Sequence, residues 1–231
     1  MFNRVPFFRH SRQLGVVASL VLSTFLCIGM LVLRVLHSHH STYAWLWFNL
    51  FLAWLPLAFA LVAYNVSWHH SRLSWLLVFA CAVIWLAFFP NAPYLVTDII
   101  HLQHRADAPF WFDLILFVAI AWTGCFLGLV SLFLMQEIVR RAAGWVFSWV
   151  FALAALVLSG FGIYLGRFLR WNSWDVFFAP SEILGSILEG LRHPAAHSQT
   201  FVFSMMFAAF FTTMYLMLVS LMHLRQEGQT G

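Results

Sequence analysis

Residues 75–104 read WLLVFACAVIWLAFFPNAPYLVTDIIHLQH, an apolar run that stops abruptly at a motif containing two prolines. The first fifteen of these residues carry no charge and are too apolar for a water-exposed surface. The next fifteen contain two Pro, one Asp and two His residues. The run therefore predicts a membrane-crossing helix, and the motif predicts a break in the chain at one membrane surface.

The composition of the whole chain also favours a membrane protein. Of its 231 residues, 63% are hydrophobic and 9% are charged, whereas soluble domains carry about 25% charged residues. Barrel strands would be shorter and alternate in polarity. We predict an all-α polytopic transmembrane bundle, one integral-membrane domain over residues 1–231, with the lipid bilayer as its partner. The predicted crossings are residues 14–36, 43–64, 74–89, 110–135, 145–165 and 201–222.

Composition and motifs exclude several classes of function. All twelve basic residues are Arg and form no basic run, so we predict no nucleic-acid partner. The three Cys residues lie apart in apolar runs, which favours free buried thiols over a disulfide or a metal site. The chain has no Walker loop, GxSxG or HExxH motif, which excludes common ATPases, serine hydrolases and zincins. We predict no cofactor and no bound metal.

The distribution of Arg predicts the orientation of the chain in a plasma membrane. With the N-terminus in the cytoplasm, seven Arg residues fall on the cytoplasmic side and five on the outer side. Since cytoplasmic loops carry the excess of basic residues, we predict that both termini are cytoplasmic. Six crossings then bring the motif at 90–104 and the connection 166–200 to the same, outer, end of the bundle.

The prolines explain why the apolar helix stops. Pro90 ends the third crossing, while Pro93 disfavours a helical residue before it and suits the first turn of a new helix. We therefore predict a short re-entrant or interfacial helix after Pro93. At α-helical spacing Tyr94, Asp98 and His101 share one face, and the intervening Leu, Val and Ile residues share the other. We expect the apolar face to contact the bundle and the polar face to line an aqueous pocket.

Other charged residues are predicted to reach the same end of the bundle. Asp113 begins the fourth crossing on the face of a glycine pair, and Arg170 continues a glycine ridge in the fifth. A charge that faces lipid costs roughly 2.5–3.5 kcal/mol, so we expect these groups to pair, Asp113 with Arg170. The predicted polar cluster or ligand site is Tyr94, Asp98, His101, Asp113, Arg167, Arg170, Asn172 and Asp175.

The connection before the last crossing contains an amphipathic stretch at residues 181–192. Ser181 suits a helix N-cap, and Glu182 suits the first turn. Apolar residues recur at helical spacing at 183, 184, 187, 188 and 191. We predict a short helix on the membrane surface, with a solvated loop helix as the alternative.

Three motifs give the chain a family resemblance. NLFLAWLPL (49–57), FPNAPYLVTDIIHL (89–102) and GIYLGRFLRWNSWD (162–175) resemble motifs of the domain of unknown function 1361 family. The resemblance covers about residues 49–222 and implies a bacterial polytopic membrane protein with no established activity, substrate or cofactor. The matching positions are Asn49, Pro56, Asn91, Pro93, Asp98, His101, Arg167, Arg170, Asn172 and Asp175.

The polar residues permit three classes of function. Asp98 and His101 have the i, i+3 spacing of a metal-binding or acid–base pair, and also that of a structural hydrogen bond. Arg167 and Arg170 suit a phosphate or carboxylate, and also a structural ion pair or snorkelling. We favour a binding or transport-related protein whose outer pocket takes an anionic lipid or another small molecule. The alternatives are a membrane enzyme acting on an anionic lipid-linked substrate, with Asp98 or His101 as catalytic base, and a structural subunit of a membrane complex.

Overall fold

A computed structural model describes residues 10–69, 71–104, 107–169, 171, 175–178, 181–182, 185 and 198–227. All regular structure within these residues is helical. In chain order the helices are α1 His10–Ser38, α2 Leu46–Val66, α3 Arg72–Phe88, α4 Asn91–Tyr94, a 3₁₀ helix Leu95–His101, α5 Phe110–Ala143, α6 Trp145–Phe168, α7 Asp175–Phe178 and α8 Ser198–Glu227.

Six helical stretches are long and apolar enough to cross a membrane, which confirms the predicted all-α transmembrane class. They are Leu14–Ser38, Leu46–Val66, Arg72–His101, Phe110–Ala143, Trp145–Phe168 and Val202–Met222. Helix α5 continues beyond the predicted end at residue 135, through Arg140 and Arg141. Hydropathy marks only the lipid-buried part of a helix, and the hydrogen-bonded helix continues into the polar membrane surface.

Helix α5 lies at the centre of the bundle. Its apolar window is 61% buried, against 17% for the window of α1. It packs against α1, α2, α6, α4 and the 3₁₀ helix, while α2 also packs on α3 and α6 on α8. Since α5 contacts most of the other helices, its N-terminal turns help to form the end of the bundle where the motif at 90–104 lies.

Polar side chains join the helices within the apolar interior. The hydroxyl oxygens of Ser23 on α1 and Thr123 on α5 lie 2.6 Å apart. The Trp85 indole on α3 donates to the Ser131 hydroxyl on α5 at 3.1 Å. Hydrocarbon offers no competing hydrogen-bond partner, so such contacts fix how one helix faces another.

Two glycines allow the proline-containing segment to approach the bundle closely. A Cβ at Gly124 on α5 would lie 2.6 Å from the Leu95 Cδ1 atom, and one at Gly162 on α6 would lie 2.6 Å from the Pro90 Cγ atom. Neither distance leaves room for a side chain. The glycines therefore hold α4 and the 3₁₀ helix between α5 and α6, as expected for small residues at membrane helix contacts.

The segment after Pro93 is helical, but its helix type differs from the prediction. One turn of α-helix passes into the 3₁₀ helix at Leu95. At about three residues per turn Leu95 and Asp98 align, and both are fully buried. Ile99 and Ile100 are instead 37% and 76% exposed, so the prediction that they face the bundle is wrong. The re-entrant or interfacial position of the segment stays a prediction.

Two further predictions fall partly outside the described residues. Of the stretch 181–192, the structure describes residues 181, 182 and 185, which are helical and exposed. The surface helix over that stretch therefore stays a prediction. The extent of one domain over residues 1–231 stays a prediction as well.

Candidate functional site

A cavity of about 360 Å³ lies at the end of the bundle that holds the proline-containing segment. Cavities that bind small molecules typically measure about 300–1,000 Å³. The cavity lies between the start of α2, the 3₁₀ helix and the end of α6. Its lining residues are Thr42, Tyr43, Trp45, Asn49, Tyr94, Asp98, His101, Gln103 and Arg167.

Asp98 forms the centre of a buried hydrogen-bond network behind this lining. The Asn49 Nδ2 atom donates to Asp98 Oδ2 at 3.0 Å, and Arg167 Nη1 lies 3.5 Å from Asp98 Oδ1. The Asp98 side chain has 1% of its surface exposed. A carboxylate at that depth requires charged or hydrogen-bonding partners, and helices α2 and α6 each supply one.

The Arg167 guanidinium joins three parts of the same segment. Its Nη1 atom donates to the Tyr94 hydroxyl at 3.1 Å as well as to Asp98, and its Nη2 atom donates to the Thr97 carbonyl. The guanidinium carbon also lies 5.3 Å from the centre of the Tyr94 ring, a cation–π distance. Most of the hydrogen-bonding capacity of Arg167 is thus used within the protein.

The local sequence explains how Arg167 reaches this segment. It occupies the last turn of α6, one residue after Gly166, where a Cβ would lie 3.4 Å from the Tyr94 ring. The small residue lets α6 pass close to Tyr94, and the long Arg side chain then extends past the ring to Asp98. The other hydrogen-bond partner of Asp98, Asn49, lies in the first turn of α2.

The side chains at the mouth of the cavity differ from those behind it. His101 and Gln103 are exposed, and Trp45 has 36% of its surface exposed. The Trp45 and His101 rings meet edge to face, with their centroids 5.4 Å apart. A molecule in the cavity would therefore contact neutral polar groups and an indole before it reached Asp98.

A second buried ion pair lies at the same end of the bundle. Arg34 Nε donates to Asp113 Oδ1 at 2.7 Å, and Arg34 Nη2 reaches Asp113 Oδ2 at 3.3 Å and Asp107 Oδ1 at 3.1 Å. The side chains of Arg34 and Asp113 are 2% and 1% exposed. This pair links the end of α1 to the start of α5.

The predicted site residues fall into three groups. Four of them, Tyr94, Asp98, His101 and Arg167, line the cavity together. Asp113 contacts Arg34 instead of the cavity-lining residues, and Asp175 begins α7. Arg170 and Asn172 lie outside the described residues. The predicted pair of Asp113 with Arg170 therefore involves one residue, Arg170, whose position the structure does not describe.

Sequence reasoning missed several residues of the cavity. No sequence pattern pointed to Trp45 or Gln103 as site residues, because Trp45 follows a short loop and Gln103 lies in an irregular segment. Asn49 was outside the predicted site although it is a motif position of the family resemblance and one of two Asn residues, with Asn65, in the apolar run of α2. Within the part of the chain that the structure describes, no three His, Cys, Asp or Glu residues converge as metal ligands would.

Comparison with known proteins relates most of this chain, including most of the cavity lining, to a family. The sequence model of the family described as "Protein of unknown function (DUF1361)" matches residues 48–214, which is most of the chain. The matched range includes every cavity-lining residue except Thr42, Tyr43 and Trp45. Searches of the curated proteins and of the solved structures return no match.

Proposed function

We propose a function from one premise: this chain belongs to the DUF1361 family of proteins of unknown function. The proposed function is binding. The cavity takes a small polar molecule, or the polar head of a larger one, at the outer surface of a bacterial plasma membrane. Both termini lie in the cytoplasm in this proposal, because that orientation places the larger number of Arg residues inside.

The observation that carries the proposal is the cavity, with exposed polar groups at its mouth and an ordered network behind it. His101 and Gln103 are exposed, while Asp98 is fully buried and hydrogen-bonded to Asn49. Binding sites commonly combine a few placed polar groups with aromatic walls. A rigid network behind the lining lowers the conformational entropy lost on binding.

Two features favour binding over catalysis by the same residues. Asp98 lies at the back of the cavity with 1% of its side chain exposed and with both carboxylate oxygens in contact with Asn49 or Arg167, so little of it is open to a substrate. Arg167 already donates to Tyr94, Asp98 and Thr97, so both of its Nη atoms are engaged within the protein before a substrate anion arrives. The proposed role of both residues is to shape the wall of the cavity.

Native mass spectrometry of the protein extracted from its own membrane tests the proposal. We expect the wild-type protein to carry a bound small molecule, and the double variant His101→Ala/Gln103→Ala to lose it. His104→Ala is the matched control, because His104 is exposed nearby but does not line the cavity. A wild-type protein with no bound molecule, or a double variant that keeps it, would contradict the proposal.

A further inference from the structure

We infer that the ligand of this cavity is an uncharged, hydroxyl-rich group, a saccharide that is either free or the headgroup of a lipid. The inference rests on the proposed function, because it assigns a chemical class to the ligand of that same cavity. Charge, hydrogen-bonding capacity and the position of one aromatic ring each support it.

The charges on the lining argue against an ionic ligand. Asp98 and Arg167 are the two formally charged lining residues, and they lie 3.5 Å apart, so their charges offset each other. Neither side chain is strongly exposed, at 1% and 13%. A net charge on the ligand would lose its hydration without gaining an uncompensated opposite charge.

The exposed polar groups at the mouth suit hydroxyls. The Gln103 amide contains both donors and an acceptor, and a neutral His101 imidazole contains one of each. A hydroxyl can donate to one group and accept from another at a single atom. Several hydroxyls on one ring can therefore satisfy both residues, whereas a carboxylate or a phosphodiester only accepts.

Trp45 supplies the apolar surface that a saccharide ring needs. Its indole lines the cavity, is partly exposed and meets His101 edge to face. A sugar ring has a face of C–H groups between its hydroxyls, and packing that face on an indole removes apolar surface from water. In this arrangement the sugar ring packs its C–H face on Trp45 and directs its hydroxyls to Gln103.

The flank of the cavity suits a lipid-linked form of the same chemistry. Ile99 and Ile100 are exposed and directly precede His101 in the 3₁₀ helix. These side chains offer an apolar surface outside the cavity, against which hydrocarbon chains can pack while the head occupies the cavity. A free saccharide would use the cavity alone.

Calorimetric titration separates these ligands. The protein is reconstituted in phosphatidylcholine discs, because maltoside detergents carry the headgroup under test, and is titrated with maltose and with inorganic phosphate. We expect saturable binding of maltose alone. Discs that also contain diglucosyl diacylglycerol should weaken maltose binding by competition if the lipid-linked form binds, and discs with phosphatidylglycerol should leave it unchanged.

Matched tryptophan variants localise the binding. Trp45→Ala should weaken maltose binding by about tenfold or more, because its apolar contact is lost. Trp47→Ala should leave the affinity unchanged, because Trp47 is 56% exposed close to Trp45 but does not line the cavity. Gln103→Ala should weaken binding about three- to tenfold through one lost hydrogen bond.

The possible results distinguish this inference from the proposed function. Binding of phosphate or phosphatidylglycerol without binding of maltose would overturn the inference and keep the function. If every probe fails to bind but native mass spectrometry still shows a bound molecule, the inference is overturned and the proposed function is kept. Failure of every probe together with an empty wild-type protein would overturn both.

Discussion

Two carboxylates, Asp98 and Asp113, are buried at the same end of the bundle and paired in different ways. Arg34 contacts both oxygens of Asp113, at 2.7 and 3.3 Å. Arg167 lies 3.5 Å from one oxygen of Asp98, and the Asn49 amide donates to the other at 3.0 Å. The first pair joins two helix ends without lining the cavity, whereas the second forms part of the cavity wall.

The difference shows how one physical requirement serves two purposes. Neither carboxylate can be buried in an apolar bundle without a partner, and each finds an Arg from a distant helix. Arg34 donates through Nε and Nη2 to Asp113 and Asp107, while its Nη1 atom has no hydrogen-bond partner among the described residues and its guanidinium carbon lies 5.6 Å from the centre of the Tyr43 ring. Arg167 also orders Tyr94 and the Thr97 carbonyl, so the second pair fixes the shape of a surface. We therefore assign stability to the first pair and site geometry to the second.

The largest expected effect is the loss of Arg34. Arg34→Met leaves the Asp113 carboxylate buried without its cation, so the free energy of unfolding should fall by about 3–5 kcal/mol. Chemical unfolding of the purified protein in micelles measures it. The double variant Arg34→Met/Asp113→Leu should recover most of the loss, because the fully buried carboxylate is removed together with its cation, and Asp107, which also loses its contact with Arg34, is 22% exposed and can be hydrated. Wild-type stability of Arg34→Met would refute the assignment.

Loss of Arg167 should cost less, and this difference sharpens the comparison. In Arg167→Met, Asn49 still donates to Asp98, and removal of the guanidinium lets water from the cavity reach the carboxylate. We expect unfolding to become easier by about 2 kcal/mol, typical for a hydrogen bond to a charged group. The same unfolding assay checks it. A loss equal to that of Arg34→Met would remove the distinction between the two pairs.

A methyl group at Gly162 should have a smaller effect that is confined to the cavity side. Gly162→Ala would press on Pro90, and overpacking of this kind costs about 1–2 kcal/mol. It should also reduce the amount of bound molecule seen by native mass spectrometry. Gly29→Ala is the control, since nothing lies within 4 Å of a Cβ there. Equal behaviour of the two variants would show that the close contact is unimportant.

The smallest expected change in stability is at the mouth of the cavity. His101 is exposed, so His101→Ala should alter the free energy of unfolding by less than about 0.5 kcal/mol. It should nevertheless lower the bound fraction, because His101 lines the cavity. Thermal unfolding compared with His104→Ala checks the first expectation. A large loss of stability in His101→Ala alone would make His101 a structural residue.

The sequence predicts the helices and the location of the break, but not the form of the break. Pro90 and Pro93 mark where helix α3 ends, at Phe88, although the apolar helical stretch as a whole continues to His101. Nothing in residues 95–101 distinguishes a 3₁₀ helix from an α-helix. The 3₁₀ form of the segment accompanies the close packing of Leu95 on Gly124. That contact joins residues far apart in the chain, so local periodicity cannot report it.

The partners of the buried charges are equally hard to predict. Several Arg residues are expected at the outer end, and hydropathy does not tell which one faces Asp113. Arg34 and Asp113 are 79 residues apart, and their contact depends on how α1 and α5 are rotated about their axes. Asp98, by contrast, shares a motif with Tyr94 and Thr97, so part of its surroundings could be predicted locally.

Thiol labelling from outside the cell tests the central contrast most directly. The native Cys27, Cys81 and Cys125 are buried, so new cysteines can be read against a low background. In intact cells, a membrane-impermeant maleimide should label Thr42→Cys in the cavity lining. It should not label Ala108→Cys, because Ala108 is 8% exposed and follows Asp107, which contacts Arg34 of the buried ion pair. Labelling of Ala108→Cys but not Thr42→Cys, or of Thr42→Cys only after permeabilisation, would contradict an outer cavity beside a closed ion pair.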